Sequence, residues 1–493
     1  MTEIDSEKET FINKPTPFSE IKLSNWIKGI ITTLLYIGVV LWTGNPWLAL
    51  GIPVAFDIYL TKIINWNWWK HTRFAQRHPK AISWIDAIVF ALVAVYFINI
   101  FLFQNYKIPS SSLEKSLLVG DHLFVSKVSY GPRMPIAPIF MPLTQNELPF
   151  FGCKSYLEWP MWDYHRLTGF GSVQHGDIVV FNFPAGDSVC LKMPNPDYYQ
   201  IILSEGSNYV AQHNNLIKNI DLKNSWRRNH ALMEYGRKRI KEVQNAVGEV
   251  VWRPVDKRDC YVKRCIALPG DTLQIIHNQV YVNGVAMQNP TELQHNYYIK
   301  TNGVILSDKF FENLGISNDD KVSGGIGPNY YLPLTEEKAK YVSQLPMIEQ
   351  IKIDEQLPDS SGFNVFPFST DYPWSRDNYG PIWMPRKGAT VTLDEKNIIL
   401  YERIITSYEG HTLDLKNDGT IEVDGKPTTT YTFAMDYYFM LGDNRHKSAD
   451  SRYWGFVPED HIVGKPLVVW LSLDADKSFL SSIRWNRFFK IVE

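Results

Sequence analysis

At 493 residues the chain is long enough for two or three domains, and a net charge of −2 gives no overall pull toward nucleic acid or anionic lipid. Aromatic residues make up 14% of it, with 16 tryptophans, a share that suits a protein living at a membrane surface. Cys153, Cys190, Cys260 and Cys265 have no metal-ligand spacing, so neither a metal nor a cofactor is expected.

Residues 1–26 are mostly polar and read as a cytoplasmic tail, too long a polar lead for a cleaved signal peptide. Ile27–Thr43 and Trp47–Ile64 are apolar and separated by Gly44-Asn45-Pro46, a turn sequence. Ile82–Phe103 is the strongest apolar run, at 22 residues against the roughly 20 that a spanning helix needs. Three transmembrane helices are expected, the second carrying Pro53 and Asp57. The loop 65–81 between the last two holds Lys70, Arg73, Arg77 and Lys80 with no acidic residue, which keeps it cytoplasmic. The third span then exits to the outer face of the plasma membrane.

Beyond residue 104 the pattern changes to strands and turns. Gly120-Asp121, Gly176-Asp177 and Gly270-Asp271 precede apolar or alternating runs, as turns entering strands do, and Gly442-Asp443 repeats the pair. Asn283-Gly284 and Asp424-Gly425 predict tight hairpins. The fold class is a membrane-anchored, mainly β protein: N-terminal transmembrane helices, then an antiparallel β domain in three parts, 105–190, 256–290 and 391–475. Two insertions interrupt it. Residues 191–255 are polar, with a helix near Ala231–Ala246, and residues 291–390 form an accessory lobe with a helix over Thr335–Leu345; 476–493 is a C-terminal tail. Cys260 and Cys265 are too awkwardly placed on one strand to pair, whereas Cys153 and Cys190 read either as a disulfide or as free thiols. Leu148-Pro149-Phe150-Phe151, with Trp159, Met161 and Trp162, reads as packed aromatics, with contact to the membrane as the alternative.

The chemistry lies in two segments. Ser110-Ser111-Ser112 follows the third apolar run, and Tyr261-Val262-Lys263-Arg264 stands about 150 residues later. A serine needs a base to become a nucleophile, and neither segment offers a histidine. A lysine serves when burial disfavours its charged form, and Lys263 sits among Tyr261, Val262, Cys265, Ile266, Ala267 and Leu268.

Four boxes carry a family resemblance: Ile108-Pro109-Ser110-Ser111-Ser112-Leu113 with Leu117-Leu118-Val119-Gly120-Asp121; His175-Gly176-Asp177-Ile178-Val179-Val180-Phe181; Tyr261-Val262-Lys263-Arg264 with Leu268-Pro269-Gly270-Asp271; and Gly442-Asp443-Asn444-Arg445 through Ser448-Ala449-Asp450-Ser451-Arg452-Tyr453-Trp454-Gly455-Phe456-Val457-Pro458. In this order they resemble the boxes of bacterial type I signal peptidase, a Ser/Lys serine peptidase family. The resemblance covers a minority of the chain and implies that Ser112 attacks a peptide carbonyl with Lys263 as base. It further implies that the Ser112 N–H and the Ser110 hydroxyl hold the oxyanion and that Ser448 orients the lysine. Arg264, Asp443, Asp450 and Arg452 would brace the site, first of all as a structural ion-pair network. Substrates would be signal peptides of exported preproteins with small residues at the cleavage site, met at the bilayer beside the secretion machinery. Three departures stand out: Leu113 where methionine is usual, Ser111 where glycine is common, and His446-Lys447 where the family often has Asp-Asn, adding positive charge near the site.

Two other functions fit the same residues. One is a Ser/Lys processing peptidase devoted to a single pilin or transfer protein, and the other an inactive membrane-anchored binding protein. A lipoprotein-type signal peptidase is disfavoured, since Asp57 and Asp86 lie in separate spans without a matching motif.

Overall fold

The computed structural model describes residues 17–492 except 150, 187, 194, 214, 318–319, 322–324, 326, 359–360, 362, 475–476 and 478–480. It divides into two compact units, one running to Phe101 with His165–Thr168, the other Leu102–Tyr164 with Gly169–Glu493.

In the first unit, helices Leu23–Thr43 and Pro79–Phe101 are 21 and 23 residues long, long and apolar enough to cross a membrane. Gly44 closes the former at φ 62, a left-handed C-cap open to glycine without strain. The expected span 47–64 takes another form. Pro46–Gly51 winds as a 3-10 turn, Ile52–Phe56 as α-helix and Asp57–Thr61 as a wider π-type turn. The cause is Asp57, whose carboxylate accepts from Ile63 N (2.7 Å), Ile64 N (3.1 Å) and Trp66 Nε1 (3.0 Å) and so pulls the chain out of the helix. The segment folds back along the first helix. Leu60 packs against Gly29, and the Tyr36 hydroxyl beside Gly51 donates to Leu48 O at 2.8 Å. Asp86 is paired locally, with Lys70 at 2.8 Å.

The second unit is built on an antiparallel sheet in the order Phe103–Lys107, Asp121–Ser126, Ile462–Ser472, Ile178–Asn182, Cys260–Ala267, Tyr437–Leu441, Val457–Pro458, with Lys490–Ile491 also on Ile462–Ser472. Its central strand Ile178–Asn182 is buried on both faces, as a continuous apolar run requires. The Gly-Asp pairs prove to be one repeated device. Gly120, Gly176 and Gly270 turn the chain at positive φ, and Asp121, Asp177 and Asp271 each accept the backbone N–H three residues back, from Leu118, Gln174 and Leu268. Both predicted hairpins form, with Asn283-Gly284 and Asp424-Gly425 at positive φ.

A second apolar core lies under the strands Thr272–Ile276, Gln279–Val282 and Tyr379–Trp383 and gathers Leu273, Ile382, Ile404, Phe433 and Tyr437. After residue 190 the chain forms a helix pair, Tyr198–Gln212 and Ser225–Glu242, in backbone contact at Gly206 and Gly236. The second helix begins earlier than its charge pattern suggests, because Asn224 caps it by accepting from Arg227 N at 3.0 Å.

The accessory lobe is shorter than 291–390. Strands Asn329–Thr335, Gln294–Thr301 and Ile348–Ile353, with helices Asp308–Leu314 and Glu336–Ser343, enclose their own core of Ile299, Phe311, Leu332 and Val342. Val365, Phe366, Trp374 and Ile382 instead complete the second core. All four cysteines are free, Cys153 exposed and Cys190 buried, so the Cys153–Cys190 disulfide is absent.

Candidate active site

Ser112 sits on the short turn Ser111–Leu113 that follows the first strand of the sheet. Leu113 and Leu117 anchor this turn in the apolar core beneath. On its other side Asn444 donates its backbone N–H to Ser112 O at 3.1 Å and its Nδ2 to Ser111 O at 3.3 Å. Lys263 comes from Cys260–Ala267, which is held in register by pairing of Lys263 with Val179. The two side chains meet: Lys263 Nζ donates to Ser112 Oγ at 2.6 Å, with the lysine only 4% and the serine 8% exposed. A second, longer bond runs from Nζ to Val262 O, at 3.3 Å.

Burial pushes the Lys263 ammonium down to about 8, against the opposing pull of the Asp450 and Asp443 carboxylates. Desolvation is therefore the larger effect, and about a tenth of the lysine is neutral at pH 7, far more than for a free lysine. That makes Nζ a competent acceptor of the Ser112 proton.

The charged residues of the boxes form a braced frame around this pair. Arg264 donates to both Asp443 oxygens, at 2.9 and 2.8 Å, and to Gly176 O at 2.6 Å. Asp443 also receives the Ser116 hydroxyl at 2.6 Å. Arg452 donates to both oxygens of Asp450, at 2.9 and 2.8 Å, and Asp450 accepts from Gly442 N at 3.2 Å. Gly442 differs from the other three glycines: its φ is ordinary, and close approach makes glycine necessary. A Cβ there would collide with Ser448 Oγ and Ser112 O.

Ser448 is thus brought against the Ser112 turn, but its hydroxyl makes a 3.5 Å contact to Ala449 O, and the hydrogen bonds of Lys263 go to Ser112 and Val262. Ser110 is exposed, with extended backbone, on a cleft of about 350 Å³ that it lines with Ser112, Lys263, Tyr106, Tyr261 and Ala449. Among the described residues no group of three or more His, Cys, Asp or Glu side chains is placed to hold a metal ion.

The positive charge expected from His446-Lys447 is cancelled. The His446 side chain is buried, and its Nδ1 accepts the Asn296 N–H at 3.1 Å while Nε2 faces Asp377 Oδ1 at 2.9 Å. Burial lowers its pKa, so the ring is a neutral donor and acceptor rather than a cation. Lys447 forms an ion pair with Asp320. Sequence reasoning missed these partners, Asn296, Asp377 and Asp320, which lie 150, 69 and 127 residues away, and assigned no role to Asn444, although it stands inside the last box.

The family described as "Signal peptidase, peptidase S26" matches residues 81–351 and 384–471. Among curated relatives, Signal peptidase I of Buchnera aphidicola subsp. Acyrthosiphon pisum is 22% identical over 94% of this chain and 99% of that protein. Signal peptidase I of Helicobacter pylori is 31% identical over 33% of this chain and 63% of that protein. That of Haemophilus influenzae is 34% identical over 20% of this chain and 28% of that protein. The matched family segments contain Ser112, Lys263 and Asp443, so the chain belongs to the signal peptidase family, peptidase S26.

Proposed function

We propose that this chain is a membrane-bound endopeptidase that removes signal peptides from exported preproteins through a Ser112–Lys263 dyad. The observation that carries the reading is the 2.6 Å contact between Lys263 Nζ and Ser112 Oγ in a buried site. Neutral Lys263 takes the Ser112 proton as Oγ attacks the scissile carbonyl. The Ser112 N–H and the Ser110 hydroxyl hold the oxyanion, and Lys263 then returns the proton to the leaving amine. Water completes the cycle by the same proton route. Ser448 serves as the lysine-orienting residue once its hydroxyl rotates from the weak Ala449 contact, and Arg264, Asp443, Asp450 and Arg452 keep the frame rigid.

The test is the pH profile. Only the neutral lysine is a base, so kcat/KM should rise with pH through an acid limb near 8, where Lys263 loses its proton. An acid limb near the roughly 10.4 of free lysine would show a wet site and end the dyad reading.

For the membrane part we propose three crossings, with the tail and the basic loop 65–81 inside and residues 105–493 outside. The broken helix Pro46–Thr61 supports this, since it returns beside the first helix to the level of Gly29. Single cysteines at Ser19, Gln76 and Lys426, on a background lacking the native four, can be labelled with an impermeant reagent on spheroplasts. Only the Lys426 site should react before lysis. Labelling at Ser19 would mean that Pro46–Thr61 does not cross, and labelling at Gln76 would reverse the orientation.

A further inference from the structure

Besides the Lys447–Asp320 ion pair and the bond from Lys115 Nζ to Gly315 O, the lobe at 294–353 meets the active-site frame along one seam. Strand Ile348–Ile353 stops opposite Tyr297, which leaves the amides of Gln294 and Asn296 on that edge without a strand partner. The last box takes its place. Gln294 N–H donates to Asp443 O at 2.9 Å, Gln294 bridges Asn444, and Asn296 N–H donates to His446 Nδ1 at 3.1 Å. His446 Nε2 reaches on to Asp377 Oδ1 at 2.9 Å, and Asp377 is itself fixed by Arg376 Nε at 3.0 Å and Gln356 N at 2.8 Å. The next residue in the frame, Asn444, holds the carbonyls of Ser111 and Ser112.

This seam is polar throughout. The buried atoms Gln294 Oε1, Asn296 Oδ1, Asn444 Oδ1 and Arg445 Nε have no protein partner. Directional bonds must therefore set its register, the backbone bond from Gln294 to Asp443 and the side-chain bonds of His446. We infer that His446 is a positioning residue: its Nδ1, bonded to Asn296 of the lobe, and its Nε2, bonded to Asp377 outside the lobe, together hold the 443–446 loop, and with it the carbonyl side of the Ser112 turn. The inference rests on Ser112 being the nucleophile. It gives the lobe a part in the reaction rather than in substrate capture.

The comparison is between His446→Leu, which removes both ring nitrogens, and His446→Asn, whose amide keeps an atom at the Nδ1 position. With a purified full-length chain in detergent and a preprotein substrate, His446→Leu should lower kcat at least tenfold while KM stays within twofold. His446→Asn should recover kcat to within about threefold of the wild type. Hydrogen exchange should quicken in peptides covering 110–117 and 442–448 for the Leu variant alone. Wild-type kcat in His446→Leu would overturn the inference. So would equal losses in both variants that track a common fall in melting temperature. The exchange readout does not depend on activity, so failure of the seam and failure of Ser112 as nucleophile are told apart.

Discussion

Ser112→Ala and Lys263→Ala are each expected to remove preprotein cleavage, with kcat lowered on the order of 10⁴-fold or more and insertion and folding intact. Each variant takes away one half of a unit that works only as a pair, so the double variant should be hardly worse than either single one. Ser110→Ala should be milder, about 10²–10³-fold, because the backbone donor of the oxyanion site remains. The measurement is single-turnover cleavage of a preprotein in detergent. Near-wild-type turnover in either the Ser112 or the Lys263 variant would remove the dyad from the mechanism.

The second large effect runs the opposite way. Lys263→Met keeps the length and apolar stem of the side chain but removes a buried amine, and should make the protein inactive and more stable. A lysine held at about 8 when folded, against 10.5 in the open chain, binds fewer protons folded than unfolded between those two values. Stability of the wild type therefore falls as pH drops from about 10.5 to 8, and below 8 the whole penalty is present. That penalty is about 3 kcal/mol, and allowing about 1 kcal/mol for the lost bond to Ser112, the Met variant should gain about 2 kcal/mol at pH 7. The gain should shrink as pH approaches 10. Denaturant unfolding at pH 7 and 10 measures both, and a Met variant less stable than wild type at pH 7 would contradict a desolvated lysine.

The site was largely legible because its residue types are chemically committed. A serine turn, a lysine within an apolar strand and a glycine-aspartate pair each admit few structural solutions, and the structure brings the Ser112 and Lys263 side chains within hydrogen-bond distance. Hairpins at Asn283-Gly284 and Asp424-Gly425 were equally plain, since positive φ at both turn positions restricts the residues that fit. Less was visible where the deciding contacts lie far away in sequence. Asp57 read as an awkward residue inside a span, and its true effect depends on the amides of Ile63 and Ile64 beyond the run. Val365 and Trp374 sit in a loop-rich stretch without periodicity, so only three-dimensional packing assigns them to the second core. His446 read as added charge because Asn296 and Asp377, which make it a neutral linker, belong to no recognisable motif.

The lobe's attachment carries one more consequence. Its first and last strands are hydrogen-bonded neighbours, Tyr297 opposite Ile353, so the chain leaves and rejoins the catalytic body across a single strand spacing of about 5 Å. An appendage joined in this way behaves as a graft. Away from Gly315 and Asp320, which bond Lys115 and Lys447, its outer part can lengthen, shrink or be rebuilt over evolutionary time without stretching the sheet that bears Lys263. The rungs at Gln294 and Asn296, with the contacts at Gly315 and Asp320, are the parts that cannot drift freely, because there the graft and the frame around Lys263 share their bonds.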